Sequence, residues 1–222
     1  MVSDTKKLLD ANDFEKGRCP LKRLDHEMGD NDFLATFAPI DVVTVGGYLA
    51  VTYFKNREAT GDLDYMIDPQ WAQDDEIKFP RKFAIKSVAK KEKFEFDWMN
   101  DGLEIWTTPA ASKTIFERAY EQNILLFDGQ SIRVWAAPLE WALERKLRRT
   151  AYSERGSKTV DMEDALALFK HFRDANGGPL DMESFRNLNL NGFDLVPEHN
   201  HMEKVAARYQ DMYKEELFTS SG

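Results

Sequence analysis

The chain has 222 residues, with 30 Lys and Arg against 39 Asp and Glu, a formal net charge of −9 at pH 7, and 42% hydrophobic and 12% aromatic residues. This composition excludes a disordered chain, and at this length roughly 70% of the unfolded surface is expected to be buried on folding. The acidic balance argues against a broad nucleic-acid-binding surface while leaving room for a local basic groove, and the single cysteine, Cys19, forbids an internal disulfide or a cysteine-based zinc cluster.

No run of about 18 apolar residues occurs and Met1–Lys7 lacks the apolar core of a secretory signal, so a cytoplasmic chain without a membrane segment is expected. Residues 1–40 predict a helical N-terminal extension: Asp4 is placed to cap a helix through Leu9, and Leu21, Leu24, Met28, Phe33, Leu34 and Phe37 recur at roughly helical spacing. From residue 41 to 136 short β-rich runs alternate with helices. Val42–Val45 predicts a buried strand ending at Gly46-Gly47, Tyr48–Asn56 a helix, and Asp62–Ile67 a second strand stopped by Asp68-Pro69. A helix over Pro80–Lys91 follows, then strands over Phe94–Trp98 and Leu103–Thr108 joined by an Asn100-Asp101-Gly102 turn, a helix over 111–121, and strands near 123–127 and 131–135. Residues 137–222 predict a helical region, with helices over Pro138–Ala151, Thr159–Arg173 and Pro197–Leu217. The expected fold class is α+β, a mixed sheet flanked by helices with a helical C-terminal extension.

One stretch carries chemistry. Side chains alternate along a strand, so Asp62 and Asp64 fall on one face about 7 Å apart while Leu63 points away. A carboxylate pair of this kind suits Mg²⁺, which keeps part of its water shell and takes one or two protein carboxylates together with substrate phosphates. Gly46 and Gly47 stand where a strand hands over to a helix, where unblocked backbone N–H groups and the positive helix end receive phosphate oxygens.

In order along the chain, Gly46-Gly47, a helix, Arg57, Thr60 and then Asp62-Leu63-Asp64 resemble the nucleotidyltransferase superfamily with the DNA polymerase β-like fold. Within it they are most similar to the abortive-infection and toxin-type branch, whose pattern runs Gly-Gly-x-Ala, Arg-x-Thr-x-Asp-hydrophobic-Asp. Two spacings depart from that pattern: Ala50 falls three residues after Gly47, and Arg57 and Thr60 are one residue further apart. The resemblance spans about Val42–Phe172. It implies transfer of an NMP moiety from an NTP to an acceptor hydroxyl of RNA, protein or a small molecule, with Mg²⁺ (or Mn²⁺) held by Asp62, Asp64 and a third carboxylate. Glu104 is preferred for that third position and Asp97 is its competitor. The resemblance further places Gly46, Gly47, Arg57, Thr60, Lys146 and Asp161 at the nucleotide.

In the C-terminal region, positions 139, 143, 147 and 150 form one helical stripe with Lys146 at its edge. Asp161 shares a face with Ala165, Leu168 and Phe172, so a salt bridge to Lys146 would satisfy both charges. The family's Arg, Lys-Asp-x-x-Asp segment is matched by Arg155, Lys158, Asp161 and Asp164, except that Val160 replaces the lysine before Asp161. That loss, with the competing third acids, motivates the alternative: a catalytically inactive descendant serving as a nucleotide-binding or protein-interaction module. Arg145, Arg148, Arg149 and the series Lys82, Lys86, Lys90, Lys91 and Lys93 suit a solvated surface or an electrostatic groove for RNA. The scattered His26, His171, His199 and His201 give no ligand pattern, and no Gly-x-Ser-x-Gly, Walker-type or Gly-x-Gly-x-x-Gly motif occurs.

Overall fold

The structure, a computed structural model, describes residues 8–10, 19–152 and 158–219. Asp4 and Arg155 lie outside the described residues, as does the side chain of Lys158. The chain divides into two compact units, Met1–Ala137 and Pro138–Gly222.

The first unit is built on a mixed sheet. Its strands are β2 (Ile40–Thr44), β4 (Leu63–Ile67), β5 (Met99–Asn100), β6 (Leu125–Asp128) and β7 (Ile132–Ala136), in the spatial order β5-β4-β2-β7-β6. β2 is antiparallel to β4 and parallel to β7, β4 is parallel to β5, and β6 and β7 form an antiparallel pair. A separate two-stranded ladder joins β1 (Leu9–Asp10) to β3 (Ala59–Thr60), with Leu9 opposite Thr60.

Alternation along the strands divides the sheet into two faces. Ile40 and Val42 of β2, Leu63, Tyr65 and Ile67 of β4, and Ile132 and Val134 of β7 enter one hydrophobic core. Helices α1 (Pro20–Gly29), α2 (Asp32–Thr36) and α4 (Asp75–Glu92) contribute Leu21, Leu24, Met28, Leu34, Ile77, Ile85 and Val88 to it. Residues Leu21, Leu24, Met28 and Leu34 of the expected N-terminal extension are thus part of this unit's core. Asp25 of α1 also accepts backbone N–H bonds from Gln130, Ser131 and Ile132 at 3.2, 2.6 and 3.0 Å, which fixes the β6–β7 turn. On the other face, Asp41 of β2 receives a bidentate pair from Arg133 at 2.7 Å each and the Trp135 indole N–H at 3.1 Å. Tyr120 of α5 (Pro109–Gln122) reaches Asp41 and Asp68 from above at 3.1 and 3.2 Å.

Several elements differ from the sequence-based expectation. Leu9 lies in a strand, fully buried, where a helix was expected. After the glycine pair, a single turn α3 (Gly47–Leu49) runs into a π-helix over Ala50–Phe54, closed by Lys55 in the left-handed region. Phe94–Trp98 is a turn and Gly102–Trp106 a 3₁₀ helix; neither is a strand. The alternating apolar residues 94, 96 and 98 mimic a strand, but Phe94 and Trp98 are buried and Phe96 is exposed. The Trp98 indole donates to the Ile85 carbonyl at 3.1 Å, so this segment is anchored along α4, and only Met99 and Asn100 remain to pair with β4.

The second unit is helical, with α6 (Leu139–Tyr152), α7 (Lys158–Asn176), the short α8 (Met182–Arg186) and α9 (His199–Tyr213). Leu139, Leu143, Leu147 and Thr150 form the predicted buried stripe of α6, and Leu166 and Phe169 of α7 are fully buried. No helix among the described residues is long and apolar enough to cross a membrane.

Candidate functional site

The chain ends that matter are the C-terminal end of β2 and the N-terminal end of β4, which antiparallel pairing sets side by side through Thr44 and Tyr65. The Thr44 hydroxyl, buried at the end of β2, donates to the Asp64 carbonyl at 2.7 Å and locks the two strands at this point. Immediately beyond β2, Gly46 adopts φ +77°, a left-handed conformation that only glycine takes without strain, and so turns the chain into α3.

Gly47 is required for a different reason. A Cβ there would stand 1.9 Å from the Thr60 hydroxyl oxygen, 2.7 Å from the Thr60 Cβ and 3.6 Å from an Arg57 guanidinium nitrogen. Gly47, Arg57 and Thr60 therefore meet in space. The Thr60 hydroxyl in turn donates to the Asp62 carbonyl at 3.1 Å, tying this cluster to the residue just before β4.

Leu63, Tyr65 and Ile67 point into the core, so alternation turns Asp64 to the opposite face, and Asp62 with it. Asp64 is half-buried, and its carboxylate makes no hydrogen bond or ion pair among the described residues. Asp62 and Asp64 thus fit the one or two carboxylates that Mg²⁺ takes alongside substrate phosphates.

Glu104 stands in the Gly102–Trp106 turn, where burial, and next the nearby Asp101, push its carboxyl up, while Arg81, Lys78 and Lys82 pull it down. These groups surround Tyr65: the Arg81 guanidinium lies 5.4 Å from the Tyr65 ring centroid, and burial raises the Tyr65 phenol to about 12. Asp101 is also desolvated, but the Lys82 ammonium at 2.6 Å outweighs that and holds its carboxyl low. Glu104 thus shares the electrostatic neighbourhood of Tyr65 and Arg81. Asp97, its competitor, is exposed in the turn before β5. The parallel register pairs Asp64 with Asn100, so the side chain beside Asp64 on the neighbouring strand is an amide. Among the described residues no group of three His, Cys, Asp or Glu is arranged to hold a metal ion.

Asn100 was not singled out by sequence because its importance rests on a parallel pairing of two residues, which no local pattern announces. Arg81 was missed for a related reason. It reads as one more cation in a lysine-rich helix, yet it is buried, and its Nε and one terminal nitrogen have no hydrogen-bond partner.

Within the second unit, Lys146 and Asp161 are brought together as the helix faces predicted. The Lys146 ammonium donates to Asp161 at 2.8 Å and also lies 2.7 Å from Asp164, and Arg149 approaches the other Asp161 oxygen at 2.9 Å. Both carboxylates and the ammonium are buried. Val160, which breaks the family pattern, leaves this charge cluster intact because Lys146 and Arg149 supply the cations from α6.

Comparison with protein-family models, with characterised proteins and with solved structures gave no match.

Proposed function

We propose that the first unit is a metal-dependent nucleotidyltransferase domain, transferring an NMP moiety from an NTP to an acceptor hydroxyl. The observation that carries this is the meeting of Gly47, Arg57 and Thr60, with the Thr60 hydroxyl bonded to the Asp62 carbonyl, beside adjacent ends of two antiparallel strands. In this reaction the acceptor hydroxyl gives up its proton to solvent water as its oxygen attacks the α-phosphorus, the bond from that phosphorus to the β-bridging oxygen breaks, and pyrophosphate leaves with the electron pair. Backbone N–H groups at Gly46-Gly47 receive phosphate oxygens, and the Arg57 guanidinium offsets charge developing on the transferred group, the dominant contribution in positioning chemistry of this kind. Asp62 and Asp64 would hold Mg²⁺ or Mn²⁺, which supplies Lewis-acid polarisation of the phosphates and lowers the pKa of the attacking hydroxyl. The acceptor class, RNA, protein or small molecule, is set by surfaces outside this constellation.

A second reading has a specific observation behind it. Asn100, the neighbour of Asp64 on β5, is an amide, and Glu104 is grouped with Tyr65 and Arg81. A chain short of the third carboxylate would bind nucleotide without transferring it. Incubation with each α-labelled NTP, Mg²⁺ or Mn²⁺, total RNA and a protein extract, beside an Asp62→Asn/Asp64→Asn double variant, separates the two. Label transferred by the wild type alone supports the enzyme and reveals its acceptor. Metal-dependent NTP binding without transfer supports the inactive descendant, and the absence of both refutes the nucleotidyltransferase assignment.

A further inference from the structure

Helix α4 buries one face in the core and leaves the other uncovered. On the uncovered face Phe79 and Phe83 are 64% and 76% exposed, one helical turn apart, and Glu76, Lys86 and Lys90 continue the same stripe. Two adjacent phenylalanines left in water forgo burial that neither needs to forgo for the sake of the fold, and such patches mark interaction surfaces. Neither ring contacts another aromatic, and Glu76, Lys86 and Lys90 make no ion pair among the described residues.

The charges along this face are segregated. Asp75 and Glu76 stand in the first turn of α4 and Lys86 and Lys90 toward its end, while Lys82 and Lys91 at the margins of the face are paired with Asp101 and Glu27. Position 81 is the midpoint of Phe79 and Phe83, and Glu76 and Lys86 each lie five residues from it. The face is therefore self-complementary under a two-fold rotation about that midpoint. We propose that it is the contact through which two copies of this chain associate, with their α4 helices antiparallel.

In that arrangement Phe79 of one copy packs on Phe83 of the other, twice, while Glu76 of each meets Lys86 of its partner about 7.5 Å along the helix on either side. The antiparallel setting also opposes the helix dipoles favourably. A parallel pairing would set lysine on lysine, so orientation is specified along with affinity. Other occupants fit less well. A nucleic acid stacking on the two rings would bring its phosphates against Asp75 and Glu76, and an acidic peptide would be matched over only the basic half.

The test is the solution mass of the full chain by sedimentation equilibrium from micromolar to near-millimolar concentration, with the fold checked by circular dichroism. The expected result is a dimer of the 25.7 kDa chain. Phe83→Glu converts it to a monomer. Glu76→Lys weakens association roughly tenfold by reversing two symmetric ion pairs, and Glu76→Lys/Lys86→Glu restores it. The charge swap lies at exposed positions and stays informative where Phe83→Glu fails to fold. A wild type that stays monomeric throughout, a dimer indifferent to Phe83→Glu, or a double swap no better than the single one overturns the proposal. So does a monomer whose Lys86→Glu variant loses binding to a single-stranded oligonucleotide.

Discussion

Gly47 packs so closely on Thr60 that its Cα hydrogen occupies space no methyl group could share, a Cβ there falling 1.9 Å from the Thr60 hydroxyl oxygen. Thr60 is β-branched and its hydroxyl is committed to the Asp62 carbonyl, so it has little freedom to retreat. Gly47→Ala is therefore expected to cost about 1–3 kcal/mol through overpacking. At this chain length that corresponds to a drop of roughly 2–4 °C in Tm per kcal/mol. Thermal unfolding measures it. An unchanged Tm for Gly47→Ala would mean that the contact is not as close as described.

Asp64 is the position where stability and activity separate. Its carboxylate has no partner among the described residues, so Asp64→Asn removes no interaction and should leave the folding free energy within about 0.5 kcal/mol. On the proposed function the same change abolishes Mg²⁺-dependent NTP binding. Paired urea melts and titration calorimetry read both quantities, and retained metal-dependent binding would remove Asp64 from the site.

The Lys146 cluster behaves in the opposite way. Replacing Lys146 with Met removes the ammonium that two buried carboxylates, Asp161 and Asp164, both face, at an expected cost of about 3–5 kcal/mol. Neutralising the stranded charges in Lys146→Met/Asp161→Asn/Asp164→Asn should return much of that. Chemical denaturation of the three-residue variant against the single one decides the matter: equal stabilities would show that the carboxylates are not the source of the loss.

Glu104 gives a pH signature. Its carboxyl is raised in the folded chain by burial and by Asp101, so the folded state binds that proton more tightly than the unfolded one. Stability contributed here is fully present below the unfolded value, near 4.5, and is lost as pH rises through the folded value. Glu104→Gln should therefore be more stable than wild type at pH 7, with the advantage shrinking as pH falls toward 4.5. A stability difference independent of pH between 4.5 and 7 would contradict the burial of this group.

Much of the first unit was legible because its strands are short, apolar and bounded by glycine or proline. The strands expected over Val42–Val45 and Asp62–Ile67 and near 123–127 and 131–135 overlap the observed Ile40–Thr44, Leu63–Ile67, Leu125–Asp128 and Ile132–Ala136. The glycine pair, Arg57 and Thr60 were found through their order in the chain, and the fold gives that order a spatial meaning. What failed was any segment whose conformation depends on a distant partner. Leu9 forms a strand because Thr60 is beside it, 51 residues on. Phe94–Trp98 has the alternation of a strand, but Trp98 is held by the Ile85 carbonyl. Glu104 was expected on a strand and stands in a 3₁₀ turn. The Lys146–Asp161 pair was predictable because two amphipathic helices carry their own face information in sequence.

The ladder between Leu9 and Thr60 has one more implication. Thr60 touches Gly47 on one side and is hydrogen-bonded to Asp62 on the other, so β1 grips the same residue that spaces the glycine turn from the acids. Tension applied at Leu8 is delivered through two residue pairs to the hinge point of the site. An affinity tag, a fusion or a binding protein that peels this short ribbon away would act as a remote brake on the turn at Gly46-Gly47 without touching any residue in it.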